Sequence, residues 1–217
     1  HKNKLGKSDY NFEWNPSAFD SAEWSDRKKG QPFFAKICLS GGKARSQART
    51  SKDIPHVDGS KVVLPPYYPK HPVVLEDWAA YLDTFSLMDF QVGQIIDRLK
   101  KEGEFKNTII FFITDHGVSH ARGKQFCYDE GMMIPFFVHA PNRVKGGKVR
   151  KDPVLHIDLA ATSLYFAGIE IPKHMEARTL FGPNFLKREF AVSARDRCDE
   201  TYDCLLYTSD AADETCR

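Results

Sequence analysis

Asp115 and His116 stand side by side after the apolar run Asn107–Thr114 and directly before Gly117. A carboxylate and an imidazole released together at the end of a strand can reach the same cation. Carboxylate oxygen suits hard ions such as calcium or magnesium, and imidazole nitrogen extends the range to manganese or zinc. Two plainer readings stand beside this one, since an Asp after a strand often caps a helix and a single His is often structural. His120 follows four residues on, in the same loop. Further along, Arg195-Asp196-Arg197 sets two guanidiniums around a carboxylate. Their forked donors match a carboxylate or another oxyanion on a ligand, or acidic neighbours in a surface ion-pair run.

The segments that must position these groups read as alternating strand and helix. Phe33–Leu39 is an apolar run bounded by Pro32 and Gly41-Gly42, expected to be a buried strand. Residues 40–72 carry five prolines and read as a basic loop ending in Leu-Pro-Pro-Tyr-Tyr-Pro. Across residues 72–102, Trp78, Tyr81, Leu82, Phe85, Met88, Val92, Ile95, Ile96 and Leu99 recur at helical steps, and Gly103 supplies the stop. Asn107–Thr114 is apolar and β-branched throughout, the pattern of a strand buried on both faces of a parallel sheet. Ile134–His139 repeats it, Asp158–Ala167 reads as a helix before Gly168, and Phe190–Ser193 as a short last strand. This order predicts an α/β fold with a largely parallel central sheet flanked by helices. Ligands in such sheets sit beyond the carboxyl ends of the strands, where Asp115 and His116 lie.

Bulk properties bound the possibilities. The chain has 217 residues, 41% of them hydrophobic and 28% charged, as in a soluble globular domain. A net charge of +2 gives no reason to expect nucleic acid or a membrane surface as partner, and no apolar run is long enough for a membrane span. The five cysteines, Cys38, Cys127, Cys198, Cys204 and Cys216, show neither CxxC nor zinc-type spacing. Cys204–Glu214 reads CLLYTSDAADE, which resembles a translated adapter from short-read DNA sequencing. Residues 204–217 are therefore set aside from the domain expected over 1–203.

The run from Thr114 to Val138 contains Thr-Asp-His-Gly, then Gly123-Lys124, Tyr128-Asp129-Glu130-Gly131 and the Pro135-led strand. Together with Asp89, Val92-Gly93 and the Leu64–Pro69 segment, it resembles the sulfatases of the alkaline phosphatase superfamily, within them the heparan N-sulfatase-like polysaccharide sulfatases. The resemblance runs from about Gly6 to Asp203. It implies an alkaline phosphatase-like fold, here incomplete, and hydrolysis of sulfate esters or sulfamates on a sulfated carbohydrate. It makes Asp115 and His116 two ligands of a divalent ion, calcium in most of the family; many relatives carry Asn where His116 stands. Lys124 would contact the sulfate oxygens and neutralise charge on the leaving group. Gly6-Lys7-Ser8-Asp9 is similar to the family's Gly-Lys-x-His, so Lys7 would hold the nucleophile's oxygen, with Asp9 where a His is usual. Lys43 falls where many relatives place a proton-donating His, as a sulfate contact or an acid. His120 would protonate the departing alcohol or amine, bind substrate or serve the loop, and Arg195 and Arg197 would bind substrate.

The family's nucleophile is a formylglycine made from Cys or Ser in Cys/Ser-x-Pro-x-Arg, a motif this sequence does not contain. It and a paired-Asp segment are expected upstream of His1. The resemblance implies a periplasmic or extracellular protein. Two alternatives remain: a phosphonate or phosphodiester hydrolase of the same superfamily, and a non-catalytic glycan-binding relative.

Overall fold

The computed structural model describes residues 19–195, with the backbone alone of 197–198, 201–202 and 206–208. The chain divides into two compact units, His1–Asp97 and Arg98–Arg217.

Helix α1 (Arg45–Thr50) lies inside the stretch expected to be loop throughout. The segment between Gly42 and Pro55 is free of proline. Ala48 gives the helix one fully buried contact, in a small core with Ile54 and Leu87. Helix α2 (Pro72–Lys101) matches its expected range; proline is tolerated in its first turn, where no backbone donor is needed. Trp78, Tyr81 and Phe85 meet edge to face along it at 5.8 and 4.9 Å. Tyr68, from the proline-rich segment, meets Trp78 edge-on at 5.3 Å, so that segment is held by aromatic packing without regular structure.

The strongest polar staple of the first unit is Asp83, whose side chain is fully buried. It accepts from Val57 N–H at 2.7 Å and Arg49 Nη1 at 2.8 Å, with His56 Nδ1 at 3.0 Å. Burial pushes its carboxyl up, but the Val57, Arg49 and His56 partners together outweigh that and bring it below the ordinary value. Phe33–Leu39 does not form the expected buried strand. Apart from one isolated bridge at Lys36 the segment is irregular, and Phe34 is 68% exposed.

The second unit begins at the end of α2, where Gly103 takes φ 76° and Glu104 N–H donates to Leu99 O at 2.8 Å, closing the helix. A 3-10 turn (Phe105–Asn107) leads into strand β1 (Ile110–Ile113). Strand β2 (Phe136–His139) pairs with it from Ile110 opposite His139 to Ile113 opposite Phe136. This pairing is antiparallel, where the apolar run suggested a parallel neighbour. Among the described residues the strand pairs are all antiparallel, and β1 has one neighbour, so its side chains are only half-buried and Ile113 is exposed. An apolar run reports burial potential, and strand direction is set by the connection; here the return runs through the short helix α3 (Asp129–Met132).

Helix α4 (Asp158–Ala167) forms where expected and ends on Gly168 at φ 70°. Its Phe166 packs between Phe111 of β1 and Phe181, at 6.4 and 5.6 Å. Strand β3 (Val192–Ala194) pairs with β6 (Leu206–Thr208), and β4 (Arg197–Cys198) with β5 (Thr201–Tyr202). Strand β6 lies in the segment set aside from the domain; its Leu-Tyr-Thr is β-prone and lines up along the edge that β3 offers. No helix among the described residues is long and apolar enough to cross a membrane.

Candidate metal centre

Strand β1 delivers Thr114, Asp115 and His116 at its carboxyl end, as the position of the apolar run predicted. The loop that follows folds back on itself. Gly117 N–H donates to Gly131 O at 3.1 Å, Val118 N–H to Glu130 O at 3.0 Å and Lys124 N–H to Val118 O at 2.7 Å. These bonds bring backbone against backbone at the motif glycines. A Cβ on Gly117 would overlap the Glu130 carbonyl oxygen and lie 2.7 Å from its carbon; one on Gly123 would overlap the Val118 carbonyl. The spacing Asp-His-Gly, Gly-Lys and Tyr-x-x-Gly is thus the spacing of one close-packed loop. Arg122 and Gln125, on either side of Gly123-Lys124, take positive φ of 68° and 76°, a backbone conformation uncommon for side-chain-bearing residues and concentrated at functional loops.

Within that loop Asp115 projects outward, its side chain 91% exposed, and His116 is partly covered. His116 Nε2 lies 3.8 Å from Asp115 Oδ1, close enough for one ion to sit between them. The other ring nitrogen, Nδ1, lies 2.8 Å from Gly117 O. A carbonyl can only accept, so Nδ1 carries the proton, and in the neutral tautomer this leaves the lone pair on Nε2, facing the carboxylate. A second-sphere carbonyl fixing the tautomer is usual for metal-ligating histidines. Thr114 Oγ1, one residue earlier, is buried without a protein hydrogen-bond partner. The residues present therefore fit one side of a hard-cation site with oxygen and nitrogen donors. Among the described residues no cluster of three or more His, Cys, Asp or Glu side chains is gathered for a metal, so the pair is a partial ligand set.

Of the other expected site residues, the structure brings several into this loop. Lys124 is half-buried, anchored through its backbone. His120 is half-buried, and its carbonyl accepts from Gly123 N–H at 3.1 Å. Arg195, at the end of β3, places its guanidinium over the Phe126 ring at 5.1 Å. Phe126 stacks near Tyr128 at 6.2 Å, and Arg122 caps Tyr128 at 4.1 Å. Burial raises the pKa of the thiol of Cys127, the residue between Phe126 and Tyr128 in the sequence, with Arg195 opposing the shift. Lys43 belongs to the first unit, exposed just before α1, its carbonyl accepting from Arg45 N–H at 2.9 Å. Lys7 and the Arg197 side chain lie outside the described residues.

Two residues of this neighbourhood escaped the reading of the sequence. Arg122 carries no signal beyond being a loop arginine. His156 lies just before α4, and its Nε2 reaches Thr114 O at 2.9 Å, across 42 positions.

The chain is a mixed helix and sheet structure of the alkaline phosphatase-like fold, with a carboxylate and an imidazole side by side at the end of a strand. Residues 12–169 match the sulfatase family model, and the chain belongs to that family. It is 27% identical over 244 residues to an ulvan-active sulfatase of Formosa agariphila, covering 94% of this chain and 41% of that protein. It is 29% identical over 147 residues to human N-sulphoglucosamine sulphohydrolase, covering 66% of this chain and 29% of that protein. Among solved structures, a phosphonate monoester hydrolase from Silicibacter pomeroyi superposes with TM-score 0.53 at 27% identity, over 73% of this chain and 34% of that one. The chain thus spans less than half the length of these relatives.

Proposed function

We propose that this chain forms part of a metal-dependent sulfatase that hydrolyses sulfate esters or sulfamates on a sulfated glycan. The observation that carries the proposal is the Asp115–His116 pair, with the His116 lone pair turned toward the carboxylate by the Gly117 carbonyl. The names of the relatives, one acting on ulvan and one on N-sulphoglucosamine, support a sulfated sugar as substrate. A divalent ion held there, calcium in most of the family, would draw charge off the sulfate oxygens.

The chain's own residues take the remaining roles in this reading. Lys124, fixed by its backbone bond to Val118, supplies a positive charge to the sulfate. His120 delivers a proton to the departing oxygen or nitrogen. Arg195 is held against Phe126 and offers its guanidinium to an anionic group of the sugar, with Arg197 and Lys43 as further substrate contacts and Lys7 beside the nucleophile. A formylglycine nucleophile would come from outside these 217 residues, since they contain no Cys/Ser-x-Pro-x-Arg. Export to the periplasm or the extracellular space goes with this substrate class.

The structural likeness to a phosphonate monoester hydrolase favours a second reading, hydrolysis of phosphonate or phosphodiester substrates by the same fold. The deciding experiment assays the whole gene product against sulfated monosaccharides and oligosaccharides in parallel with phosphonate monoesters and phosphodiesters. Turnover of sulfated sugars that is lost in Asp115→Asn supports the proposal. Turnover of the phosphorus substrates alone replaces it with the second reading, and sugar binding without turnover of either class indicates a non-catalytic relative.

A further inference from the structure

Asp115 and His116 leave the end of a two-stranded ladder, with the Asp115 side chain almost fully in solvent. A strand end of this kind frays unless something holds its last peptide groups. The β1–β2 pairing stops at Ile113 opposite Phe136, so the Thr114 carbonyl lies beyond the ladder. His156 Nε2 reaches that carbonyl at 2.9 Å. Because the carbonyl only accepts, Nε2 is the donor.

We propose that His156 is a positioning residue for the Asp115–His116 pair, holding the Thr114 carbonyl so that both ligands leave the strand in a fixed direction. The inference rests on the metal reading of the pair given above.

An exposed hydrogen bond alone is worth about 1 kcal/mol and is contested by water. What makes this one a brace is the rigidity behind it. Asp158, two residues further on, is buried, and its Oδ2 accepts from Leu155 N–H at 2.9 Å. Its Oδ1 accepts from Arg178 N–H at 2.9 Å, and Arg188 Nη2 lies 2.8 and 3.0 Å from the two oxygens. The backbone on either side of His156 is therefore tied to a buried carboxylate with partners from two other segments. The imidazole carries that anchorage 42 positions back to the residue before the first ligand.

The test uses the whole gene product and three variants, His156→Ala, His156→Gln and Asp115→Ala. Gln can place an N–H close to the position of Nε2. Two readouts apply: amide hydrogen exchange at residues 115–118, and calcium affinity from a titration of the thermal midpoint. We expect His156→Ala to accelerate exchange at 115–118 and weaken calcium binding about tenfold, with the calcium-free midpoint little changed. His156→Gln should restore both. Exchange and calcium affinity unchanged in His156→Ala overturn the proposal, as does faster exchange with unchanged affinity. Asp115→Ala separates the two levels: if it keeps wild-type calcium binding, the pair is not the metal site and the positioning role falls with that reading. If it loses calcium binding while His156→Ala does not, only the role of His156 is wrong.

Discussion

The Nδ1–H of His116 donates to the carbonyl oxygen of its own neighbour Gly117, 2.8 Å away. That bond gives the pair its direction, because it puts the remaining lone pair on Nε2, 3.8 Å from Asp115 Oδ1. It also makes the metal preference testable. Imidazole nitrogen strengthens binding of manganese and zinc far more than of calcium. His116→Asn replaces it with an amide oxygen, a donor suited to calcium. In isothermal titration of the whole gene product the variant should keep calcium affinity to within a few-fold and lose about tenfold or more for manganese and zinc. Equal losses for all three ions would place His116 outside the ligand set.

The loop's glycines were legible as a motif, but the sequence did not say what they do. Gly117 stands where the backbone of residues 117–118 meets that of residues 130–131, and a methyl group there overlaps the Glu130 carbonyl. Gly117→Ala should force the two backbones apart and cost about 3 kcal/mol, at the upper end for an overpacked site. The measurement is a denaturant midpoint, with Gly146→Ala as a comparison, since a Cβ at Gly146 meets open space and should shift little.

How much was readable follows from how local each signal is. Helix α2 announces itself through apolar residues at three- and four-residue steps and through Gly103, and helix α4 through its stop at Gly168, features carried within each segment. The strand end bearing Asp115 and His116 was equally local. Helix α1 was hidden because the prolines around it dominated the segment, while its support comes from Ala48 meeting Leu87, a contact 39 positions away in the sequence. Phe33–Leu39 has the composition of a buried strand, yet composition supplies no neighbour, and Phe34 stays largely exposed. His156 was invisible for the same reason: its partner Thr114 lies in another element, and a single histidine before a helix has no period to betray it.

Lys124 offers a division between fold and chemistry. Its place in the loop depends on its backbone N–H bond to Val118, which Lys124→Ala keeps. In the whole gene product, kcat/KM on a sulfated sugar should fall roughly 10²–10³-fold, the usual loss for a preorganised charge at a developing anion. The thermal midpoint should move by no more than about 2 °C. A large fall in the midpoint, with the activity of the remaining folded protein intact, would make Lys124 a structural residue of the loop.

Asp83 ties pH to the stability of the first unit. Its folded carboxyl lies below the ordinary value, because the Val57, Arg49 and His56 contacts outweigh burial. The folded state therefore binds fewer protons than the unfolded state as the pH passes through this range, and stability rises with pH there. The contribution is complete above the unfolded Asp value, near 3.9, and is lost as the pH falls through the lower folded value. Asp83→Ala leaves the Val57 N–H without its acceptor and takes one of three partners from Arg49, which keeps Glu76 and the Val57 carbonyl; it should cost about 3 kcal/mol at neutral pH, as expected when one partner of a buried ion pair is removed. Denaturant melts of wild type and variant from pH 7 downward should show the gap narrowing below about pH 4. A gap that stays constant through that range would mean that Asp83 stabilises by packing, with its charge playing no part.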